Sequence, residues 1–423
     1  MKLYIIYQTI ITLLFAILSP VIVLAVIIKG NSKAEVLHRF GLYRSDVPAQ
    51  KSGKRIWLHA SSVGEVQAAK ALITELENIS DNLEFVVSTM TRHGQTAAIR
   101  QLSAKAACIF SPLDVPFITK LAIYIIKPDC YVCLETELWP SVLHSLHRAR
   151  VPVLLLNGRM SERSIQSYLR FRYFFRQVLA CFDRMAFITK NDMSRYLELG
   201  ADKERCLVAG NVKYDLSSPK DQENHYRKIL KITDQHTVFI SGSTHSGEEE
   251  LLLRLFQEFD NDFIWITAPR HLKRLPAIAK LMDENQISYN LFSHLKNGGQ
   301  RQANLIIVDV MGELAHLYPA GDYIFCGGSL VEYGGHNLME AAISGKAVFY
   351  GPNIHDYRDA ASLLELAGAG FMVEDVQQLI EKIRYFQNNQ DEYKAACRRA
   401  ETAAKSQQGA ARRQAEMVIK MLQ

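Results

Sequence analysis

The chain has 423 residues and a formal net charge of +5, so it is long enough for two domains of ordinary size. So small a positive charge does not indicate nucleic acid as a partner. The seven cysteines are scattered, and Cys130 and Cys133 have no second pair that would complete a zinc site. We therefore expect buried thiols of a cytosolic protein, with no metal site.

The first predicted element is an apolar helix that attaches the chain to a membrane. Leu3 to Ile28 are 26 residues without a formal charge, more than the roughly 20 that span a bilayer. Seven lysines and arginines follow between positions 29 and 55, which predicts that the rest of the chain is cytoplasmic. A cleaved signal peptide is disfavoured because no clear small-residue cleavage site follows. Polar or helix-disturbing residues leave a shallower, interfacial helix as the alternative to a full span, namely Gln8, Thr9, Thr12 and Pro20.

Short apolar strands then alternate with helices through two stretches of the chain. In the first stretch, helices are predicted at Glu65–Glu77 and near Gln95–Leu102, between the early strands. In each of the two stretches, this alternation of strand and helix predicts a parallel sheet with both faces covered. The predicted strands of the first stretch are 56–60, 83–89, 107–112, 130–135, 151–157, 185–189 and 206–210, and those of the second are 237–242, 263–269, 305–310, 322–328 and 347–351. A polar stretch at 217–234 separates the two halves and predicts a hinge. A last helix is expected from about Gln408.

Acidic residues stand where strands of the first half end. Glu65, in SSVGEV (61–66), is predicted at a helix start, where the dipole favours its ionisation and where it could accept a proton from a hydroxyl. An ordinary first-turn glutamate is the alternative. Glu135 and Glu137, in LETELWP (134–140), share a face if the strand continues, and a salt bridge is their simpler explanation. Lys213, in GNVKYD (210–215), could offset charge on a phosphate, or be a surface lysine.

Several loops of the second half lie at the carboxyl ends of predicted strands, where open α/β sheets bind ligands. Pro269 and Arg270 follow one strand, and Met311, Gly312 and Glu313 follow another. Ser246 and Glu249, in GSTHSGEEE (242–250), fit a capping box before an apolar helix, and this loop is a candidate phosphate cradle.

The glycine-rich run GGSLVEYGG (327–335) precedes the most informative helix start. Asn337 is placed to cap the helix NLMEAAIS, whose free N–H groups and dipole suit a phosphate. Glu340, in the first turn, could accept both hydroxyls of a ribose. This pattern predicts a bound nucleotide, although glycine turns between a strand and a helix are common in α/β proteins.

A further segment, residues 159–184, mixes arginine with several aromatic residues. A basic, aromatic helix can lie on an anionic membrane surface. Packing against its own domain, with the arginines in solvent, is the alternative.

Taken in order, the motifs of the chain resemble those of one enzyme family. HASSVGEV, TMTRHG, LETELWP, NGRMSERS, GNVKYD, GSTHSGEE, APRH, MGEL and GGSLVEYGGHNLMEA follow the order seen in the 3-deoxy-D-manno-octulosonic acid (Kdo) transferases of lipopolysaccharide assembly. The resemblance covers nearly the whole chain. It implies an α/β chain of GT-B fold with two Rossmann-like domains: a membrane anchor at 1–30, an acceptor-binding domain at 31–216 and a CMP-Kdo-binding domain with a C-terminal helix at 217–423.

The implied reaction moves Kdo from CMP-Kdo, with inversion, onto a tetra-acylated lipid A precursor at the cytoplasmic side of the inner membrane. By the resemblance, Glu65 is the catalytic base, and Glu135 and Lys213 stabilise the transition state. The residues implied in CMP binding are Pro269, Arg270, Met311, Gly312, Glu313, Asn337, Leu338, Met339 and Glu340. The family implies no cofactor and no metal at the donor site.

Two other classes of protein share part of this pattern. A UDP-sugar transferase or nucleotide-sugar epimerase would share the glycines of the second half, but not a membrane anchor combined with SSVGEV and ETELWP. A catalytically dead nucleotide sensor would be expected to lose Glu65 or Glu340, and the chain has both.

Overall fold

The computed structural model describes residues 2–28, 33–43, 45–48, 52–215 and 222–423. The chain divides into two compact units, one formed by Met1–Asp215 with Gly409–Gln423 and the other by Leu216–Gln408. The division after Asp215 lies beside the predicted boundary at 216. The assignment of the last helix to the second domain was wrong, because residues from Gly409 onward belong to the first unit.

The first unit contains a seven-stranded sheet whose pairings are parallel. Its strands stand in the order β3-β2-β1-β4-β5-β6-β7. Their bounds are β1 Lys54–His59, β2 Leu83–Thr89, β3 Ala106–Phe110, β4 Cys130–Leu134, β5 Val153–Gly158, β6 Arg184–Phe187 and β7 Cys206–Val208. All seven strands predicted for this half are present.

Both faces of this sheet are buried, as its continuous apolar strands predict. Ile56 and Leu58 of β1 point into one hydrophobic core, and Trp57 points into another on the opposite face. The helices described in this unit are α1 Lys2–Ile28, α2 Lys33–Arg39, α3 Val63–Ile79, α4 Arg92–Leu102, α5 Pro116–Ile126, α6 Pro140–Arg148, α7 Glu162–Leu169, α8 Arg172–Leu179, α9 Lys190–Leu199 and, after the second unit, α19 Ala410–Leu422.

The second unit contains another seven-stranded parallel sheet, in the order β10-β11-β9-β8-β12-β13-β14. Its strands are β8 Thr237–Thr244, β9 Phe263–Pro269, β10 Tyr289–Leu291, β11 Leu305–Ile307, β12 Tyr323–Cys326, β13 Val348–Tyr350 and β14 Gly370–Met372. The five predicted strands are confirmed, whereas β10 and β14 were missed. Both are three residues long and half-exposed, too short to show a pattern.

Nine helices described in the second unit lie around this sheet. They are α10 Glu223–Ile229, α11 Glu248–Gln257, α12 Leu275–Glu284, α13 Phe292–Lys296, α14 Leu314–Leu317, α15 Leu338–Ile343, α16 Arg358–Leu366, α17 Val376–Asn388 and α18 Gln390–Lys405. Helix α10 lies within the polar stretch that predicted a hinge, and its Tyr226 is buried in this unit. Residues 217–221 of that stretch lie outside the described residues.

The predicted N-terminal helix is present as α1, and one side of it packs on the first unit. The Tyr4 ring stacks on His144 with centroids 3.8 Å apart, and Tyr7 donates a 2.8 Å hydrogen bond to the half-buried carboxylate of Asp114. Phe15 contacts the ring of Phe117 on α5. Within the described part of the chain, no helix is both long and apolar enough to cross a membrane, so the predicted full span is not confirmed.

Candidate active site

Glu65 lies in the first turn of α3, at the carboxyl edge of the first sheet. The helix begins after Ser62, whose backbone is extended, and the Glu65 side chain turns back toward this end. Its carboxylate accepts a 2.6 Å hydrogen bond from the backbone N–H of Ser61 and a 3.0 Å bond from the Ser62 hydroxyl. Only 7% of the residue is exposed. The carboxylate is therefore held in one position, as a catalytic group or a helix cap would be.

The protonation of Glu65 differs from the prediction. The sequence predicted that the helix dipole favours ionisation, but burial and the neighbouring charge of Glu135 raise its pKa to about 8, against the hydrogen bond from Ser61. Desolvation and a like charge together outweigh the dipole here. A carboxylate with a pKa near neutral pH is suited to accepting a proton from a hydroxyl.

Glu135 is bound by two cations. It follows the last residue of β4 and has a left-handed backbone, with φ of 58°, which turns its side chain away from the strand direction. One carboxylate oxygen pairs with the ammonium of Lys213, and the other lies 3.2 Å from Nε of Arg159. The Lys213 ammonium also lies close to the start of α3, since a Cβ built on Gly64 would be 3.3 Å from it. The structure thus brings together Glu65, Glu135 and Lys213, the three predicted catalytic residues.

Glu137 has different partners from Glu135. The turn at Glu135 ends the strand, so the shared face that an extended segment would give is absent. Glu137 accepts a 2.8 Å hydrogen bond from the Trp139 indole and lies 3.8 Å from the His59 imidazole. Burial raises the pKa of Glu137, but His59 and Trp139 together hold it below its usual value.

Close backbone packing holds the loop of Glu65. The Ser61 carbonyl accepts hydrogen bonds from the backbone N–H groups of Met90 and Thr91, in the TMTRHG motif. A Cβ at Gly94 would lie 2.9 Å from the same carbonyl oxygen, which is why this motif needs a glycine there.

In the second unit, the glycine-rich loop differs from the predicted phosphate cradle. The buried carboxylate of Glu248 accepts hydrogen bonds from the backbone N–H groups of Gly328, Ser329 and Leu330, at 2.6 to 3.1 Å. It also accepts one from the His245 N–H at 2.9 Å. These backbone N–H groups therefore donate to the Glu248 side chain, in the place where the prediction put a phosphate.

The predicted capping box in this region is wrong. Helix α11 begins after Gly247, whose φ of 94° suits glycine, and not after Ser246. The carboxylate of Glu249 instead binds Arg274, with contacts of 2.7 and 2.8 Å, and accepts a bond from the Thr244 hydroxyl.

The predicted cap of α15 is confirmed. The Asn337 side-chain oxygen accepts a 3.1 Å hydrogen bond from the Met339 N–H, and its amide donates to Glu340 at 3.2 Å. Burial raises the pKa of Glu340, against the effects of Asn337 and Arg270. The side chains of Leu338 and Met339 are fully buried in the core, so these two positions offer a ligand their backbone.

The remaining predicted nucleotide contacts follow β9 and β11. Pro269 ends β9, and the exposed Arg270 follows it, with its N–H bonded to the Thr244 carbonyl. Met311 is 65% exposed, and Gly312 has a φ of 89°. The Glu313 carboxylate contacts the Lys296 ammonium and the Tyr226 hydroxyl, each at 2.6 Å.

Four polar residues of these sites were missed in the sequence. Arg159 had a usable signal, because it follows β5, the neighbour of β4, and so lies at the same sheet edge as Glu135. Glu248 had none, since the run GEEE reads as an ordinary acidic first turn. His245 and His336 come from different loops, and their 2.9 Å contact could not be read from the sequence.

Comparison with known proteins agrees with the sequence motifs. Residues 34–216 match the family model described as 3-Deoxy-D-manno-octulosonic-acid transferase (kdotransferase). The 3-deoxy-D-manno-octulosonic acid transferase of Haemophilus influenzae is 30% identical over 335 residues, which are 76% of this chain and 77% of that protein. The enzyme of the same name from Chlamydophila psittaci is 29% identical, over 84% of this chain and 82% of its own length. A bifunctional glycosyltransferase/methyltransferase of Fusobacterium nucleatum is 35% identical over 81% of this chain, which spans 54% of that longer protein.

Solved structures show the fold. MurG of Acinetobacter baumannii aligns with a TM-score of 0.58 at 12% identity, over 87% of this chain and 99% of its own. A UDP-GlcNAc 2-epimerase of Neisseria meningitidis aligns with a TM-score of 0.55 at 15% identity, over the same shares of the two chains. The predicted GT-B fold is confirmed. The chain belongs to the 3-deoxy-D-manno-octulosonic acid transferases and is a Kdo glycosyltransferase.

Proposed function

We propose that this enzyme transfers Kdo from CMP-Kdo, with inversion, to the glucosamine disaccharide of a tetra-acylated lipid A precursor, in lipopolysaccharide biosynthesis at the cytoplasmic side of the inner membrane. The observation that carries the proposal is the buried, doubly hydrogen-bonded Glu65 beside the Glu135–Lys213 ion pair. The relatives of this chain that are named as Kdo transferases support Kdo as the transferred sugar.

Glu65 acts as the general base. Its raised pKa makes it a stronger proton acceptor than an ordinary glutamate, once the substrate hydroxyl replaces solvent beside it. The hydroxyl that Glu65 deprotonates attacks the anomeric carbon of Kdo on the face opposite CMP. The new C–O bond forms as the bond to the CMP phosphate breaks, so CMP leaves and the anomeric carbon is inverted. The hydrogen bond from the Ser61 N–H keeps one carboxylate oxygen in place.

Glu135 and Lys213 supply balanced charge next to this base. Lys213 offers a cation to negative charge that develops in the transition state, and Glu135 holds that cation in position. Arg159, on the other oxygen of Glu135, prevents this carboxylate from turning away when Lys213 engages a substrate.

The second unit binds the cytidine nucleotide. Glu340 accepts hydrogen bonds from the ribose hydroxyls, while Arg270 and the start of α15 meet the phosphate. The exposed Arg270 and the half-buried Glu340 beside it support this assignment. The segment Met311–Glu313 lines the same nucleotide.

No metal is required in this arrangement, so turnover should survive saturating EDTA. Loss of turnover that magnesium restores would overturn the proposal of a metal-free donor site.

The acceptor side faces an anionic membrane surface. The side of α1 that does not pack on the first unit exposes a row of apolar side chains, including Ile10, Leu13 and Ile17, the last 71% exposed. Helix α8 lies beside α1, with the rings of Tyr7 and Phe174 5.2 Å apart. Next to these lie the exposed aromatic and basic residues Arg163, Arg170, Phe171, Arg172, Tyr173 and Arg176. An apolar face flanked by arginines suits the headgroup region of an anionic bilayer.

A vesicle sedimentation experiment tests the membrane surface. The variant Ile10→Ser/Leu13→Ser/Ile17→Ser should lose binding to phosphatidylglycerol vesicles and retain CMP binding. A matched control replaces three exposed apolar residues of the second unit, Leu291, Leu366 and Met372, with serine. Equal vesicle binding by both variants would overturn this surface assignment.

The reaction itself is tested with purified protein, CMP-Kdo and the tetra-acylated precursor. Mass spectrometry should show an acceptor that has gained Kdo, and CMP should appear in the same amount. Transfer from a UDP-sugar but not from CMP-Kdo would instead favour another GT-B enzyme.

A further inference from the structure

His245 and His336 form a close pair in the second unit. Their Nε2 atoms are 2.9 Å apart, and their rings are nearly parallel, with an angle of 9° between them. A contact of this kind between two neutral imidazoles needs a proton on one Nε2 and a lone pair on the other. The pair therefore shares one proton across this contact, and its rings carry opposite tautomers.

The surrounding backbone fixes the two rings. His245 follows β8, and the buried Glu248 holds its N–H. His336 immediately precedes the cap of α15. Both rings lie against Gly328, where a Cβ would be 3.2 Å from His336 and 3.3 Å from His245. Tyr333 stacks on His245 with ring centroids 4.0 Å apart.

The groups that face the pair leave it in a positive field. The cations and imidazole around it are Arg270, His271 and Arg274, and the acids nearby are Glu248, Glu249 and Glu340. Glu248 is occupied by backbone amides, and Glu249 is paired with Arg274. Burial first, and then these neighbours, lower the pKa of His245 to about 4 and that of His336 to about 3. The remaining acid, Glu340, interacts with the charge of Arg270. The pair is therefore neutral beside the cation of Arg270.

We propose that His245 and His336 are a one-proton site that becomes cationic when the anionic phosphate of the nucleotide binds beside Arg270. The phosphate offsets the charge that disfavours the imidazolium, and one proton is taken up from solvent. The cation then contacts the phosphate and stabilises the negative charge of the departing nucleotide. When the nucleotide leaves, the proton returns to solvent. This inference rests on the proposed nucleotide site of the second unit.

Calorimetric titration of the full-length protein with CMP, in buffers of different ionisation enthalpy, measures the protons taken up. At pH 7 the wild-type protein should take up a larger fraction of a proton than His245→Gln or His336→Gln. The comparison with variants is needed because a phosphate monoester itself titrates near pH 6. The exposed His225, which contacts Tyr226 of α10, provides the control His225→Gln, which should behave as wild type.

The variants should also change how CMP affinity depends on pH. Linkage predicts that, as the pH rises, the CMP affinity of the wild-type protein falls more steeply than that of the two pair variants. The difference in slope is up to about tenfold in affinity per pH unit. CMP binding with the same proton uptake in wild type and both pair variants would overturn the inference and leave the nucleotide site standing. Absence of CMP binding to the wild-type protein would overturn both.

Discussion

The backbone N–H of Asn157 donates a 2.8 Å hydrogen bond to the side-chain oxygen of Gln414, across 257 positions of sequence. The amide group of Gln414 in turn donates to the Gly210 carbonyl at 3.0 Å, and the Asn157 side chain accepts from the Val212 N–H. Gln414 is fully buried on α19. One side chain of the last helix thus joins the two loops that carry Arg159 and Lys213, the partners of Glu135.

Replacement of this amide should impair turnover without affecting the nucleotide. Gln414→Met keeps the size but removes the two hydrogen bonds to Asn157 and Gly210, so Arg159 and Lys213 lose their fixed positions. Small displacements of catalytic groups can cost about 10²-fold in rate, and we expect a loss of roughly 10- to 100-fold. CMP affinity, measured by calorimetry, should not change. The exposed Gln377→Met is the matched control, and normal turnover in Gln414→Met would refute the positioning role.

Glu65 should make the stability of the protein depend on pH. Below pH 4.5 its carboxyl is protonated in both the folded and the unfolded chain. Between pH 4.5 and about 8 the unfolded chain ionises first, so the free energy of unfolding falls as the pH rises. Glu65→Gln removes this effect, and its advantage in melting temperature over wild type should be larger at pH 8.5 than at pH 5. A difference that is the same at both values would contradict the raised pKa.

Glu135 should set the pH at which the base becomes active. Its charge is, after burial, the largest cause of the raised pKa of Glu65. In Glu135→Gln this charge is lost, and the freed Lys213 acts in the same direction, so the acidic limb of the kcat/KM profile should move to lower pH. Glu137→Gln should move the limb less, because Glu137 contributes less. An unmoved limb in both variants would mean that another group titrates.

The sequence predicted the sheets well because their strands are buried on both faces and read as continuous apolar runs. It also predicted the cap at Asn337, a local interaction that two neighbouring residues decide. The capping box at Ser246 failed for a nonlocal reason, since Arg274, far along the chain, takes the carboxylate of Glu249. The prediction that Glu65 is readily ionised failed for a similar reason, because burial and the charge of Glu135 are tertiary effects that outweigh the helix dipole.

The assignment of the last helix failed because sequence order does not show where a chain returns. Residues near Gly409 are bound by Asp215, which accepts hydrogen bonds from the N–H groups of Gly409 and Ala411. These contacts join Asp215, which precedes the second unit in the sequence, to the residues that follow this unit. Nothing in the helical pattern of 410–422 distinguishes one unit from the other.

Glu340→Gln should weaken CMP binding by roughly 1–3 kcal/mol, the usual scale for a hydrogen bond to a charged group. Gln keeps an acceptor for the ribose hydroxyls but carries no charge, and its contact with Asn337 can persist. Calorimetry with CMP measures the change. The exposed Glu374→Gln of the same unit is the control, and equal affinities for both variants would place the ribose elsewhere.

The central claim is that Glu65 is the base in Kdo transfer, and its most direct test is the initial rate of wild type and Glu65→Gln. Both are supplied with saturating CMP-Kdo and the tetra-acylated precursor, and the Kdo-bearing product is weighed. A general base contributes about 10²–10⁴-fold, so the variant should be slower by that factor while it binds CMP normally and melts no lower than wild type. Turnover near the wild-type rate would contradict the assignment and leave Glu65 as a helix cap.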